Sequence, residues 1–238
     1  TLKRGSHSLK GASGYVAAVA LPPASPPRQT PSLHGAFGSP PHEAPATSST
    51  GFDYSRVKDS KRFHSRKALD AAAAYVKQHA LHWSVEWMDE AGIDKYNILE
   101  ATKMTMQEVA LDVVRQVERG TGDGGGTEGN SADDVLLLVD GDQFSPVAAH
   151  SPTTGKCDVV AYELVRKGDD TYACIAAASI LAKSARDAYV DQLCNEHPEL
   201  HEKYSLRSNK GYGTAAHMAG LRTYGVSPWH RRSFSPCA

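Results

Sequence analysis

The sequence has almost no net charge: 26 Lys and Arg stand against 27 Asp and Glu in 238 residues, a formal −1. A uniformly basic nucleic-acid binder is thereby excluded, although local segregation of charge is not. The four cysteines, Cys157, Cys174, Cys194 and Cys237, form no C-x-x-C pair and show no zinc spacing. Reduced thiols in an intracellular protein are the economical reading. No apolar run approaches the roughly 18 residues needed to cross a bilayer, so no membrane role is expected. A secretory h-region and an internal repeat are both missing. Hydrophobic content of 40% suffices for a core. The expectation is a single domain over residues 1–238 with two low-complexity insertions, at about 22–52 and 120–132.

The first insertion holds eight of the thirteen prolines. Such a segment buries too little apolar surface to offset its ordering entropy, so it is expected to be a mobile, protease-sensitive loop. The second, GTGDGGGTEGNSA, is glycine-rich and expected to be flexible for the same reason. Elsewhere the periodicity is regular. GYVAAVAL (14–21) reads as a short buried strand. Ser65 can cap a helix with Leu69, Ala72, Ala73, Val76 and Ala80 on its apolar face. Trp83, Val85 and Trp87 alternate at period two, which predicts a strand over 82–88 with that face buried. Asn97 followed by Glu100 resembles a capping box, opening a helix with Met106, Val109, Ala110, Val113 and Val117 on one side. VLLLV (135–139) predicts a central strand covered on both faces, and 159–165 the next strand. A long helix is expected over 175–195, with Ala178, Ala182, Ala185, Tyr189 and Leu193 inward. This order implies an α/β fold with a mixed sheet.

Asp140 ends the VLLLV run and precedes Gly141. A carboxylate at the C-terminal end of a central strand sits where open α/β folds bind ligands; an acid that merely caps a turn is the plainer alternative. Asp169 lies in KGDD, ahead of the long helix, where it can equally be a helix N-terminal acid. Together the two could hold a divalent metal through hard oxygen ligands. From His201 onward six Lys and Arg (Lys203, Arg207, Lys210, Arg222, Arg231, Arg232) face one acid, Glu202. Such a patch can meet phosphates or be plain solvated surface. Within it, NKGYGT puts Lys210 and Tyr212 on a glycine-flanked turn. There the ring can stack on a sugar or base, or pack as core.

Several ordered motifs then resemble one family, type 2 ribonuclease H. They are Asp59-Ser60-Lys61; IDKYNIL (93–99) with Ala101, Thr102 and Met106; and Val139-Asp140-Gly141, with Asp142 in place of the usual Asn. KGD (167–169), IAAASILAK (175–183), Arg186-Asp187, KGYGT (210–214), HRRSF (230–234) and Pro236 complete the set. The resemblance covers residues 59–236. It implies an RNase H-like mixed β-sheet flanked by helices, with a helical C-terminal part. It also implies endonucleolytic hydrolysis of the RNA strand in RNA–DNA hybrids, including ribonucleotides embedded in duplex DNA, by two-metal chemistry with Mg²⁺ or Mn²⁺. By the same resemblance Asp140 and Asp169 are catalytic metal ligands and Tyr212 packs at the RNA-to-DNA junction. Lys61, Lys183 and Lys210 are expected to contact the substrate through its phosphates. A monomer is expected.

One departure stands out. The family's first two carboxylates belong to a DE-x-GRG motif ahead of the first strand here, and residues 1–13 contain no acid. Asp89-Glu90-Ala91-Gly92 spells half of it but lacks Arg-Gly and runs straight into IDKYNIL. Either the chain begins just after the motif, which its start at Thr1 rather than Met favours, or half the metal site has been lost. Loss would suit a catalytically degenerate hybrid-binding or assembly module. The intact Asp140, Asp169 and Tyr212 argue for the enzyme.

Overall fold

The computed structural model describes residues 2–4, 14–21, 52–58, 60–119, 132–151 and 154–237. In chain order these form β1 (Leu2–Arg4), β2 (Gly14–Ala20), α1 (Arg66–His79), β3 (His82–Met88), α2 (Glu90–Arg119), β4 (Leu136–Asp140), β5 (Ala148–His150), β6 (Cys157–Val159), β7 (Ala161–Val165), α3 (Ala173–Glu196), α4 (Pro198–Tyr204), α5 (Leu206–Asn209) and α6 (Ala215–Tyr224). The main sheet runs β3-β2-β1-β4-β7. β1 pairs antiparallel with β2, and β2 with β3; β4 lies parallel to both β1 and β7. The mixed α/β fold is therefore as expected. Among the described residues no helix is long and apolar enough to cross a membrane.

β2 explains the layering. Val16 and Ala18 point to one face, packing with Met106, Val109, Ala110 and Val113 of α2 and with Leu137 and Val139 of β4. Tyr15, Ala17 and Val19 point to the other, against Leu69, Ala72 and Val76 of α1 and Ala177, Ala178 and Leu181 of α3. A strand buried on both faces has no polar alternation to show, hence its continuous apolar run. The end of α3 and α4–α6 enclose a third core around Val190, Leu200, Tyr204 and Leu206, the expected helical C-terminal part.

Several expectations need correction. On β3 the buried residue is Ser84, while Trp87 is 49% exposed and stacks on Tyr15 and Tyr189. The strand lies at the sheet's edge, where large rings cover neighbours without being enclosed. β4 is covered on one face more than the other, since Leu137 and Val139 are buried and Leu136 is exposed. The expected strand over 159–165 divides. Residues through Val159 pair with β5, the Val160 N–H donates to the Val147 carbonyl, and only then does β7 begin. Ser65 caps α1 as expected. Asn97 does so only in part: its Oδ1 accepts from Leu99 and Glu100 N–H, but Glu100 pairs with Lys103. Asn97 itself breaks α2, with φ 61°. A preceding helical turn is capped by Asp89, whose Oδ1 accepts the Gly92 N–H.

Both insertions lie outside the described residues, save for the last residue of each. Ala132 is buried against α2. Phe52 is buried beside Tyr54 and Tyr75, with ring centroids 5.0 and 5.3 Å away. It is a core residue and not the tail of a loop. Phe52→Ala should therefore destabilise the protein by about 3–4 kcal/mol, as a large buried ring lost from a core does. Urea unfolding measures this, and a change below about 1 kcal/mol would place Phe52 outside the cooperative core.

Candidate active site at the edge of the sheet

Parallel pairing of β4 with β7 brings both strands to one edge at Asp140 and Val165. The Gly141 N–H donates to the Val165 carbonyl and closes the ladder. Beyond Val165 the chain turns through Lys167, in the left-handed region at φ 55°, into a short 3-10 turn, Gly168–Asp170, that leads into α3. The Gly168 N–H donates to Asp140 Oδ1 at 2.8 Å. One hydrogen bond thus ties the end of β4 to the turn that carries Asp169. The sequence-predicted pair, Asp140 and Asp169, is brought together at the sheet edge. Asp140 is half-buried and Asp169 is only 7% exposed. Asp142, in place of the usual Asn, meets Arg166 at 3.5 Å in an exposed pair worth little.

A buried carboxylate needs compensation. Lys61 Nζ supplies part of it, 3.3 Å from Asp169 Oδ2. Lys61 sits on the 3-10 turn Ser60–Arg62, itself pinned to α3 twice: the Ser60 and Ser179 hydroxyls lie 2.6 Å apart, and Lys183 Nζ donates to the Ser60 carbonyl at 2.8 Å. Asp59, the first residue of that motif, lies outside the described residues. Lys183 therefore holds the turn bearing Lys61. Its ammonium is engaged with backbone.

Farther along the same helix, Arg186 reaches Tyr212. Its Nη1 donates to the Tyr212 hydroxyl at 2.9 Å, and its guanidinium carbon lies 5.0 Å from the ring centroid. Nε and Nη2 of Arg186 both donate to Asp187 Oδ1. Ser179, Lys183 and Arg186 fall at i, i+4 and i+7, one face of the helix. With a rise of about 1.5 Å per residue, that stripe joins the carboxylate end of the site to Tyr212 over roughly 10 Å. Lys210, in a left-handed cap at φ 51°, pairs with Asp191, which also receives Arg66 at 2.5 Å. Its charge is met within the fold. Arg186 was not singled out from sequence, although the Arg-Asp pair after IAAASILAK was the available signal.

The basic C-terminal stretch is likewise partly committed to the fold. Arg231 is 2% exposed, its guanidinium lies 3.9 Å from the Phe234 ring centroid, and its Nε and Nη2 have no hydrogen-bond partner among the described residues. Burial pushes it down to about 10, against the opposing pull of Asp94 and Glu90. Asp94 pins this segment by accepting from the Arg232 and Ser233 N–H groups and the Ser233 hydroxyl. Arg222 and Arg232 remain exposed.

The donor chemistry at Asp140 and Asp169 is all carboxylate oxygen, which fits a hard divalent ion. Among the described residues no third His, Cys, Asp or Glu joins them as a metal-binding group.

The sequence model of the family described as Ribonuclease HII matches residues 45–237. The chain is 37% identical over 180 residues to a ribonuclease HII from Janthinobacterium sp. (strain Marseille), covering 76% of this chain and 70% of the relative. It is 38% identical to a ribonuclease HII from Hyphomonas neptunium, covering 76% and 78%. Among solved structures it resembles ribonuclease H2 from Pyrococcus horikoshii OT3 with a TM-score of 0.54 at 16% identity, over 99% of this chain and 93% of that one. It also resembles a mutant form of Bst-RNase HIII with a TM-score of 0.56 at 14% identity, over 98% and 66%. These two likenesses speak for the fold.

The turn that joins the two carboxylates leaves no room for a side chain at Gly168. A Cβ there would lie 2.3 Å from Ile175 Cδ1, and Ile175 is wholly buried. Gly168→Ala should destabilise by about 1–3 kcal/mol, the usual cost of overpacking. Ile175→Val removes the offending methyl, so the double variant should be less destabilised than the sum of the singles. Denaturant unfolding of the four proteins in the cycle measures this, and strict additivity would show that the clash is relieved elsewhere.

Proposed function

We propose that this chain, which belongs to the ribonuclease HII family, hydrolyses the RNA strand of RNA–DNA hybrids at the sheet edge where Asp140 and Asp169 meet. The substrates include ribonucleotides embedded in duplex DNA. The observation that supports the assignment to this edge is the Gly168 N–H bond to Asp140, which ties the end of β4 to the turn that carries Asp169. We assign Asp140 and Asp169 as ligands of a divalent metal, Mg²⁺ or Mn²⁺. Bound there, it would supply charge stabilisation and an activated water for phosphodiester hydrolysis.

The chain's own residues divide the remaining work. Gly168 orients the Asp140 carboxylate. Lys61 balances Asp169 and, being 69% exposed at its side chain, is placed to meet a substrate phosphate. Lys183 holds the turn on which Lys61 stands, and Lys210 braces the Tyr212 turn through Asp191. Tyr212 offers a ring to the sugar or base at the junction, with Arg186 fixing its hydroxyl. RNA differs from DNA there by its 2′-hydroxyl. We read the protein as a monomeric single domain working inside the cell, a setting that suits its four free cysteines.

A second reading rests on β1. Its parallel ladder pairs Leu2 with Val139, which sets Lys3 level with Asp140 along the sheet. A lysine at that backbone position is the wrong residue type for a second carboxylate ligand. On this reading the chain binds hybrids without cutting them.

Mn²⁺ titration, together with cleavage of a duplex holding one ribonucleotide, separates the two. If the first reading holds, the protein carrying a DE-x-GRG motif ahead of Thr1 binds Mn²⁺ and cleaves, whereas the chain from Thr1, with two of the family's four carboxylates, is nearly inactive. Asp140→Asn then lowers turnover by roughly a hundredfold or more, several kcal/mol of lost charge stabilisation, while metal-free hybrid binding persists. Hybrid binding with neither metal uptake nor cleavage in that motif-bearing protein would establish the second reading, and normal turnover in its Asp140→Asn variant would make Asp140 a turn residue. Tyr212→Ala removes a stacking surface worth about 1–3 kcal/mol. It should weaken binding to the ribonucleotide duplex more than to plain DNA, whose affinity rests on phosphates; equal losses would mark the tyrosine as structural.

A further inference from the structure

Two histidines, His217 on α6 and His230 beyond it, are buried and take no part in the chemistry above. Their rings meet Nε2 to Nε2 at 3.1 Å. If both are neutral, one of these nitrogens carries a hydrogen and the other does not. The outer contacts decide which. His217 Nδ1 lies 3.0 Å from the Tyr212 carbonyl oxygen, which can only accept. Nδ1 of His217 therefore carries the hydrogen, and its Nε2 is bare. At the other end the Ser227 N–H donates to His230 Nδ1 at 3.0 Å, and the Ser227 hydroxyl lies 2.6 Å from the same atom. Nδ1 of His230 is therefore bare, and its Nε2 carries the hydrogen.

The two assignments, made from opposite ends, agree at the junction: His230 Nε2–H donates to His217 Nε2. Hydrogen bonds run one way, from Ser227 through His230 and His217 to Tyr212. An extra proton on His217 would set two N–H groups against each other across 3.1 Å. Burial and the neighbouring His217 push His230 down to about 4, so it stays neutral around neutral pH. The Tyr204 ring packs against both imidazoles, with centroids 6.2 and 4.8 Å away.

We propose that His217 and His230 are positioning residues, which hold the Tyr212 carbonyl through this one-way relay and so fix the ring offered to the substrate. The role of the ring rests on the function proposed above; the relay itself does not. Tyr212 is then held at both ends, its carbonyl by His217 and its hydroxyl by Arg186. A ring fixed in this way loses less freedom on stacking than a mobile one.

The test uses the full chain. Long-range ¹⁵N–¹H correlation of the imidazoles at neutral pH should show His217 as the Nδ1–H tautomer and His230 as the Nε2–H tautomer. An Nε2–H signal on His217, or a charged ring on either residue, overturns the relay without any variant. His230→Gln can still accept from Ser227 and donate to His217, whereas His230→Leu can do neither. In metal-free buffer the leucine variant should bind a duplex with one embedded ribonucleotide roughly tenfold more weakly, as expected for a displaced stacking ring. The glutamine variant should recover most of that loss, and plain DNA duplex should be bound equally by both. Wild-type affinity in His230→Leu, with Tyr212→Ala still weakened, overturns the positioning role. If neither variant weakens binding, the substrate role of Tyr212 has failed. The Tyr212 ring resonances then judge the relay: shifted in His230→Leu and restored in His230→Gln they support it, and unchanged in both they overturn it.

Discussion

The close approach of α3 to β2 is the constraint on which the rest depends. Ala177, Ala178 and Ala182 of the helix are buried against Tyr15, Ala17 and Val19 of the strand. Small side chains on both sides let helix and sheet come near, and a larger residue would push the helix outward. Everything at the sheet's edge is referred to that helix. Its first turn continues from Asp169, and its polar stripe carries Ser179, Lys183 and Arg186, which seat the Lys61 turn and the Tyr212 ring. A shift of α3 would move the Asp169 turn and the Tyr212 ring together, so the packing keeps the two in register.

That stripe sits in a demanding place. Arg186 and Asp187 are both buried, and a buried ion pair offsets its desolvation only with good geometry and no unmet donors. Here two nitrogens of Arg186 reach Asp187 and the third reaches Tyr212. The Tyr212 hydroxyl thus completes a charged cluster that would otherwise keep one donor unmet. Tyr212 is thereby bound to the fold, and this is how a ring on a glycine-flanked turn can be held still.

Much of the fold was legible because periodicity reports burial. β2, α1, the apolar face of α2, and α3 follow from their apolar spacing, and Asp140 follows from its place at the end of an apolar strand. Failures came where burial and residue type part company. Trp83 and Trp87 suggest a buried face on β3, yet at a sheet edge large rings lie over neighbours and Ser84 is the enclosed residue. Phe52 is hidden by the composition of the segment before it, although its partner Tyr75 comes from α1. In the site, residue types were readable but pairings were not. Lys61 meets Asp169 across 108 positions, and Arg66 meets Asp191 across 125. No local pattern encodes such distances, so a lysine destined for a backbone carbonyl looks the same as one destined for a phosphate.

The C-terminal cations make the same point about charge. Six Lys and Arg against one acid suggest an electrostatic footprint for nucleic acid. Arg231 keeps its charge in the interior, over Phe234 and under the influence of Asp94 and Glu90. Lys210 directs its own to Asp191. What remains outward at this end is a modest field, in a chain whose formal charge is −1. Counterion release scales with the number of phosphates neutralised, so Arg231 and Lys210, whose charges are met inside the fold, add little to it. Phosphate contacts do not tell RNA from DNA; that distinction rests on the 2′-hydroxyl and on the fit of rings against sugar or base. The fold holds Tyr212 through Arg186 at its hydroxyl and His217 at its carbonyl, and stacking rewards a ring already in place.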